Sequence, residues 1–304
     1  MTQSPMDHPA ASPRATAFAI GAIALWCWSG ACMAVGSRMM GSMPFLSISC
    51  VVGVITGVVA QAIQGRPVRD LFTLPLRVAV AALFGVALMT ILLIFAIEIA
   101  PDGDLAQVML INYLWPIWIV LLGIWLLDAK PRIGMVIVAA VLGFAGVAIA
   151  RGIGSLTQWP ESLLPHALAL VVSLLWAFYT VLLRRWRVPE EKGGSTLAWV
   201  ACAVMAGVIA VFNGQWSAMP SLDLRAVFWI LFIGIGPIGL AYHWWELGIK
   251  GGNVHLIAVL SYFTPVGSAL LIGLLFREAL NPALVPGALL ITAGAWLGRR
   301  AAKE

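Results

Sequence analysis

Aromatic rings in the middle of apolar runs are the residues of this sequence best suited to recognising another molecule. Trp26 and Trp176 each lie near the centre of a long apolar run, with aromatic or polar residues at helical spacing beside them. Such rings bind a flat group by stacking or edge contact and attract a cation. The candidate binding residues are Trp26, Ser29, Met89, Asn112, Tyr113, Trp115, Trp176, Tyr179, Tyr242, His243, Ser261 and Tyr262. Together they predict noncovalent binding of a neutral or zwitterionic molecule, and ordinary packing is the alternative for any single ring.

Covalent chemistry finds little support in the sequence. An enzyme working inside the apolar runs needs a nucleophile with a base, paired carboxylates or a metal cluster. By their positions, all 13 acids are expected in tails, loops or helix-end turns, including Glu98, Asp128 and Glu246. The four cysteines lack the paired spacing of a zinc or redox site, and no phosphate-binding loop motif occurs. We therefore expect no catalytic residue, no metal and no cofactor, and an intramembrane enzyme is the least favoured hypothesis.

Composition identifies the kind of chain that must hold these residues. Of the 304 residues, 62% are hydrophobic and 10% are charged, whereas about 25% are charged in a typical soluble domain. This composition excludes a soluble enzyme, a secreted disulfide scaffold and a disordered chain. Ten apolar runs occur at 15–36, 44–63, 76–98, 104–127, 133–150, 162–183, 195–213, 226–247, 253–276 and 282–298. Because a membrane span takes about 20 apolar residues, we expect an all-α integral membrane protein with ten transmembrane helices.

The charged residues predict how the helices are oriented. Residues 1–13 are polar and rich in proline, and we interpret them as a disordered cytoplasmic tail rather than a removable signal peptide. With that tail inside, 14 of the 18 lysines and arginines fall in cytoplasmic segments. Short cationic loops stay in the cytoplasm during insertion, so both termini are predicted there. The net charge is +5, but the lysines and arginines flank apolar segments and do not cluster on a polar face, which argues against nucleic-acid binding.

An internal repeat is the strongest functional signal. Shifting the chain by 148 to 151 residues aligns its halves, with Trp26 on Trp176, Glu98 on Glu246, Tyr113 on Tyr262, Pro116 on Pro265, and Gly143 on Gly294. Each half, residues 14–151 and 160–300, contains five runs, so the two must cross the membrane in opposite senses. Inverted repeats around a central cavity are typical of secondary transporters.

Proline and glycine interrupt three of the predicted helices. A mid-helix proline frees the carbonyl four residues earlier, which here belongs to Asn112 and to Ser261. The freed groups favour a polar cavity, although a packed kink is the alternative. The candidate hinge or gating residues are Pro116, Gly236, Pro237 and Pro265.

Local patterns predict further details of the scaffold. Asp104 and Asn253 stand where each can cap the helix that follows. Glycine and alanine are frequent in the fifth and tenth runs, so these two helices are predicted either to pack the halves together or to form a subunit contact. The protein is accordingly expected to be a monomer or a weak homodimer through these helices.

At these residues the chain resembles the drug/metabolite transporter superfamily, specifically its ten-helix EamA-type members. The resemblance rests first on the Leu-Trp pairs at Trp26 and Trp176. The second feature is an alanine-rich turn before a helix with a central proline, here Ala96, Ala106 and Pro116. The second half repeats the central proline as Pro265, followed by Glu278-Ala279-Leu280. Asp128 stands where the family usually has a glutamate. The chain looks most like YddG-type aromatic amino-acid exporters. This resemblance implies a bacterial inner-membrane location, a basket of helices with the fifth and tenth at the periphery, and alternating access without ATP.

The resulting hypothesis is a secondary-active or facilitative exporter of aromatic and other neutral amino acids. The expected partners are the amino-acid substrate and the lipid bilayer. The alternative is a transporter of the same fold for another small metabolite or a quaternary amine drug. A cationic cargo predicts an acid in the cavity, for which Glu98 and Glu246 are the nearest candidates.

Overall fold

The computed structural model describes residues 12–101, 104–127, 132–151, 161–189, 192–220, 222–276 and 282–301. These residues form helices joined by short connections. Most of the predicted tail lies outside the described residues, as do Asp128 and the Glu278-Ala279-Leu280 segment that carried part of the resemblance.

Sixteen α-helices are present in the described residues. They are α1 (Pro13–Trp26), α2 (Ser29–Met40), α3 (Ser42–Ile63), α4 (Leu76–Ala82), α5 (Met89–Glu98), α6 (Leu105–Asn112), α7 (Trp115–Leu126), α8 (Ile133–Arg151), α9 (Leu163–Arg185), α10 (Ser195–Phe212), α11 (Gln215–Ala218), α12 (Leu224–Ile233), α13 (Ala241–Gly251), α14 (Val254–Leu260), α15 (Phe263–Phe276) and α16 (Leu284–Ala301). A π-helical segment at Leu83–Leu88 joins α4 to α5, and a second at Gly234–Leu240 joins α12 to α13.

The lengths of the helical stretches agree with a multi-pass membrane protein. Within the described residues, seven stretches are long and apolar enough to cross a membrane. Three shorter apolar helices accompany them, at Ile133–Ile149, Val254–Ser268 and Leu284–Gly294. Each of the ten predicted apolar runs is helical over most of its length.

The predicted proline breaks occur at the predicted places. A turn at Tyr113–Leu114 separates α6 from α7 just before Pro116, and a turn at Ser261–Tyr262 separates α14 from α15 just before Pro265. The glycine and proline cluster around Pro237 forms the second π segment. In all three places the α-helical hydrogen-bond ladder is interrupted, as the missing proline N–H requires.

Two interruptions were not anticipated from the sequence. A turn at Cys27–Trp28 divides the first apolar run, directly before Ser29 and Gly30, a residue pair that often kinks helices. The first π segment interrupts the third run around Gly85, where an added Cβ would lie 2.3 Å from the Cβ of Tyr179. In this segment the close approach of α9 accompanies the distortion, without any proline.

Small residues bring α8 and α16 into close contact, which confirms that the fifth and tenth runs pack the two halves together. A Cβ added at Gly146 would lie 2.5 Å from the carbonyl oxygen of Gly287, and one at Gly294 would lie 2.7 Å from that of Ala139. Lipid provides no hydrophobic drive between helices, so close backbone approach of this kind stabilises the pair by dispersion.

Helix α3 crosses the second π segment at similarly short range. A Cβ at Gly234 would lie 2.5 Å from the Cβ of Val52, and one at Gly239 would lie 2.6 Å from the Cβ of Thr56. The glycines of the predicted hinge therefore permit a close helix crossing. Helix α3 also packs on α10, and α1 packs on α13, so the two halves of the chain interleave.

The two predicted caps differ in the structure. The Asn253 side chain accepts a hydrogen bond from the Leu256 amide at 3.0 Å, as expected for a cap of α14. The Asp104 side chain makes no such bond to α6, so that part of the prediction is wrong. Its carboxylate accepts instead from the Ser162 amide at 3.1 Å, at the start of α9.

The close contact between α8 and α16 predicts a large effect of a very small substitution. We expect Gly146→Ala to lower the apparent thermal unfolding midpoint of the detergent-solubilised protein. Overpacking of this kind typically costs about 1–3 kcal/mol. Gly134→Ala in the same helix is the matched control, because an added Cβ there meets nothing within 4 Å. Equal midpoints for the two variants would contradict the packing described for α8 and α16.

Candidate functional site

The site begins at the break in the first apolar run. Trp26 is the last residue of α1, and the Cys27–Trp28 turn ends the helix immediately after it. Its indole Nε1 donates a hydrogen bond to the carbonyl oxygen of Pro237 at 3.1 Å. A predicted binding residue of the first half is thus joined directly to a predicted hinge residue of the second.

Around Trp26 the structure gathers several rings that the sequence singled out. Trp176, from the middle of α9, lies 5.6 Å from Trp26 between ring centroids, 5.3 Å from Tyr242 and 6.3 Å from Trp115. The Tyr179 ring lies 5.9 Å from Trp176, one turn further along the helix. Five of the twelve candidate binding residues therefore meet in one place.

Two tryptophans missing from the sequence prediction complete this cluster. Trp245 is fully buried and lies 5.0 Å from the Trp26 ring and 5.6 Å from the Trp115 ring. Trp199, on α10, lies 4.7 Å from the Tyr242 ring. The spacing of Tyr242 and Trp245 at i and i+3 is a signal that could have identified Trp245, whereas no local pattern marks Trp199.

We call this set the aromatic cluster. It consists of Trp26, Trp115, Trp176, Tyr179, Trp199, Tyr242 and Trp245. Most of its ring pairs meet edge to face, the arrangement that the ring quadrupole favours. The rings come from five different helices, so the relative positions of those helices determine the shape of the cluster.

The polar edge of the cluster is sparse. The Trp245 Nε1 donates to the Thr180 hydroxyl at 3.2 Å. The Trp199 Nε1 is buried without a hydrogen-bond partner among the described residues. An indole N–H left unpaired in an apolar interior costs free energy, so an acceptor brought to Trp199 by a ligand would be favoured.

A buried carboxylate adjoins one end of the aromatic cluster, contrary to the expectation that all acids lie in tails, loops or helix-end turns. Helix α13 continues to Gly251, so Glu246 lies within it, and only 3% of the residue is exposed. Its carboxylate accepts hydrogen bonds from the Tyr179 hydroxyl and from the Ser195 amide, the latter at 2.7 Å. Sequence position alone did not indicate this burial, because it follows from how α9 and α10 meet α13.

Cationic side chains hold the same end of the bundle together. The Lys250 Nζ lies 4.0 Å from the Glu246 carboxylate and donates to the Pro189 carbonyl at 3.1 Å. The Arg184 guanidinium, at the end of α9, donates to the carbonyls of Ile249 at 3.0 Å and Gly252 at 2.7 Å. Arg184 thereby satisfies carbonyl groups that the end of α13 leaves without helical partners.

The carboxylate that the repeat pairs with Glu246 has a different environment. Glu98, at the end of α5, accepts a hydrogen bond from the Ser42 hydroxyl at 2.5 Å, and this contact is exposed. Ser42 and Ser195 are the first residues of α3 and α10. Each glutamate therefore contacts the first residue of the corresponding helix in its half. The contact of Glu98 is exposed, whereas that of Glu246 is buried.

Several candidate residues lie outside the aromatic cluster. The His243 Nε2 lies 2.8 Å from the Gln64 Nε2, at the end of α3. The Ser261 hydroxyl donates to the Ile257 carbonyl of its own helix at 2.7 Å. The Tyr262 ring is buried against Gly143 of α8, where an added Cβ would lie 2.2 Å from the ring. For these three residues, the observed contacts are with the scaffold.

The remaining candidates occupy helix ends or the general core. Ser29 begins α2 and Asn112 ends α6, and both are half-buried. Met89 and Tyr113 are buried in the hydrophobic core.

Several known proteins are similar to this chain over most of its length. The chain is 31% identical over 294 residues to the aromatic amino acid exporter YddG of Ancylobacter novellus, covering 93% of this chain and 96% of that protein. It is 28% identical over 204 residues to the exporter of the same name from Salmonella typhimurium, covering 64% of this chain and 68% of that one. Protein PecM of Dickeya dadantii is 26% identical over 219 residues, covering 71% and 70%.

A solved crystal structure, described only as that of a protein, has a similar fold. It aligns with a TM-score of 0.80 and 27% sequence identity, covering 95% of this chain and 99% of that one. The sequence profile of the EamA-like transporter family matches residues 14–152 and 163–298. Since these ranges include most of the sequence, the chain belongs to the EamA-like transporter family.

Proposed function

We propose that this protein exports aromatic and other neutral amino acids by alternating access, as a secondary-active or facilitative transporter. The observation that carries the proposal is the aromatic cluster, which is built from both halves of the chain and joined by the bond from Trp26 to Pro237. Relatives that are named aromatic amino acid exporters support the same class of cargo.

The proposed architecture is ten transmembrane helices in two inverted five-helix repeats, residues 14–151 and 160–300. Supporting features recur in both halves at matching positions. A π segment interrupts each half, at Leu83–Leu88 and at Gly234–Leu240, and each half has a broken helix, at Tyr113–Leu114 and at Ser261–Tyr262. The family profile matches one range in each half. The charge distribution supports both termini in the cytoplasm of a bacterial inner membrane.

Substrate binding follows from exchange of ring contacts. Edge-to-face pairs contribute about 0.5–1.5 kcal/mol each beyond the burial of area. An aromatic side chain that enters the cluster replaces contacts between protein rings with contacts of the same kind, so the net cost of entry is small. The unpaired Trp199 Nε1 offers a donor to the ligand carboxylate.

Access to the aromatic cluster switches between its two ends in this proposal. At the Glu246 end, α9 packs against α13 and the carboxylate is buried. At the Glu98 end, the contact with Ser42 is exposed, and α2 and α5 make no comparable packing among the described residues. In the proposed topology the Glu246 end faces the cytoplasm, so this conformation is closed inward. Repacking around Pro116, Gly236, Pro237 and Pro265 would open that end while closing the other.

A cationic cargo is the second candidate, and Glu246 is the observation that favours it. The buried carboxylate is one residue from Trp245 and contacts Tyr179, so an acid lies beside an aromatic wall. Aromatic rings with a nearby carboxylate suit a quaternary amine. Counterflow in proteoliposomes, with a panel of labelled amino acids and quaternary amines, separates the two hypotheses. Movement of amines without tryptophan, phenylalanine or threonine would favour the second.

The central position of Trp176 predicts a specific transport defect. Trp176→Ala removes ring contacts on several sides, and we expect tryptophan counterflow to fall by about tenfold or more, since loss of about two such contacts costs on the order of 1.4 kcal/mol. Threonine movement should fall less. Trp125→Ala is the control, because Trp125 is 72% exposed on α7. Normal tryptophan counterflow by Trp176→Ala would exclude the aromatic cluster as the site.

The hydrogen bond from Tyr179 to Glu246 predicts how firmly one end stays closed. We expect Tyr179→Phe to increase the labelling rate of Ser195→Cys by a membrane-impermeant maleimide about tenfold, because bonds to charged groups contribute about 1.5–3 kcal/mol. Labelling is measured in inside-out vesicles of a variant whose native cysteines are replaced. Labelling of Ser42→Cys in right-side-out vesicles should not increase in the Tyr179→Phe background. An unchanged rate at Ser195→Cys would contradict the closing role of Tyr179.

A further inference from the structure

A groove on the outer surface runs between α4, the first π segment and α9, and it shares one residue, Tyr179, with the aromatic cluster. It has a volume of about 330 Å³. Its walls include Arg77, Ala81, Gly85, Tyr179, Leu182 and Trp186. Neighbouring apolar side chains are also exposed there, with Phe84 51% and Phe178 38% accessible. This surface would face lipid in the proposed membrane-spanning arrangement.

The chemistry of the groove changes along its length. At one end the Arg77 guanidinium lies over the Trp186 ring, 5.2 Å from its centroid. Among the described residues, no carboxylate forms an ion pair with Arg77. From Arg77 to Gly85 the helical chain advances about 12 Å at 1.5 Å per residue, and the walls there are apolar. One leaflet of a hydrocarbon core is about 15 Å deep, so the groove runs through most of a leaflet.

Arg77 and Trp186 mark the end of the groove that lies at the membrane surface. Tryptophan is enriched at the boundary between headgroups and hydrocarbon. A cation at that depth attracts the phosphate of an anionic lipid, and the apolar walls below it suit an acyl chain. The positive residue at the mouth and the nonpolar walls below it match the two parts of an anionic lipid, its headgroup and its acyl chain.

We propose that this groove binds one anionic phospholipid, with its phosphate on Arg77 and an acyl chain between α4 and α9. The acyl chain of the lipid would contact the side of Tyr179, whose hydroxyl donates to Glu246. Binding therefore stabilises the packing of α9 on the first π segment. The proposal concerns a lipid rather than the transported cargo, so it does not depend on which amino acid or amine is carried.

The test uses the fluorescence of Trp186. The protein is reconstituted in phosphatidylcholine vesicles that contain an equal small fraction of brominated phosphatidylglycerol or brominated phosphatidylcholine. Subtracting the signal of Trp186→Phe in each background isolates quenching of this tryptophan. One cation near the membrane surface favours an anionic lipid by about fivefold, and we expect that preference for phosphatidylglycerol in the unmodified groove.

Variants identify what causes the preference. Arg77→Gln should abolish it, whereas Arg77→Lys should retain most of it because the charge is kept. Arg185→Gln is the matched control, since Arg185 is an exposed cation near the same end of α9 but does not line the groove. Ala81→Phe should fill the groove and reduce quenching by both brominated lipids. Gel filtration and circular dichroism check that each variant is folded.

Three results would overturn the proposal. Equal quenching by the two headgroups in the unmodified protein would indicate ordinary annular lipid only. A preference that survives Arg77→Gln would place the anion elsewhere. Quenching that is unaffected by Ala81→Phe would place the acyl chain outside the groove.

Discussion

The hydrogen bond from the Trp26 indole to the Pro237 carbonyl is the interaction on which the centre of the molecule depends. A membrane interior leaves no water for an exposed backbone group, so an interrupted helix must find partners within the protein. Here the Trp26 side chain, at the break between α1 and α2, donates a hydrogen bond to the Pro237 carbonyl in the second π segment. The same contact brings the two halves of the chain together and places Trp26 among the rings of α9 and α13.

The rest of the scaffold keeps that contact at short range. Glycines in the second π segment let α3 approach closely, and glycines of α8 and α16 do the same between the halves. Each approach replaces a side chain with backbone contact, so the helices are held by dispersion over short distances. Such interfaces favour a few discrete packings over continuous deformation, because an interior at crystal-like density cannot be compressed gradually. That property suits the proposed alternation between two conformations.

Charge is distributed unequally between the two ends of the bundle. Glu246 is buried and accepts hydrogen bonds from Tyr179 and Ser195. Lys250 lies 4.0 Å from its carboxylate, and Arg184 donates to a carbonyl at the end of α13. Glu98 accepts a hydrogen bond from the Ser42 hydroxyl in an exposed contact. A buried carboxylate is stable only when its hydrogen bonds are satisfied, so separation of α9 from α13 carries a free-energy cost at one end that the other end does not have in this conformation.

Much of the scaffold was predictable because its signals are local. Apolar runs and mid-helix prolines correctly located the helical segments and three of the five breaks in the described residues, and small residues identified the contact between the fifth and tenth runs. Candidate site residues were predicted less completely. Tyr113 and Tyr262 occupy matching positions in the two halves and were grouped with the cluster rings, yet Tyr262 packs on Gly143. Trp199 was missed because its partner, Tyr242, lies on another helix, whereas Trp245 had a local signal in its spacing from Tyr242.

By itself, the sequence determined that the chain is helical, apolar and suited to a membrane, because these properties follow from composition and from the periodicity of neighbouring residues. It also identified Trp26 and Trp176 as candidates for a common site, through their matching positions in the two halves. Tertiary structure alone decided which rings meet, which glutamate is buried and where the first π segment forms. Those outcomes depend on contacts between residues far apart in the chain, and a side chain's environment is determined by the helices that pack around it.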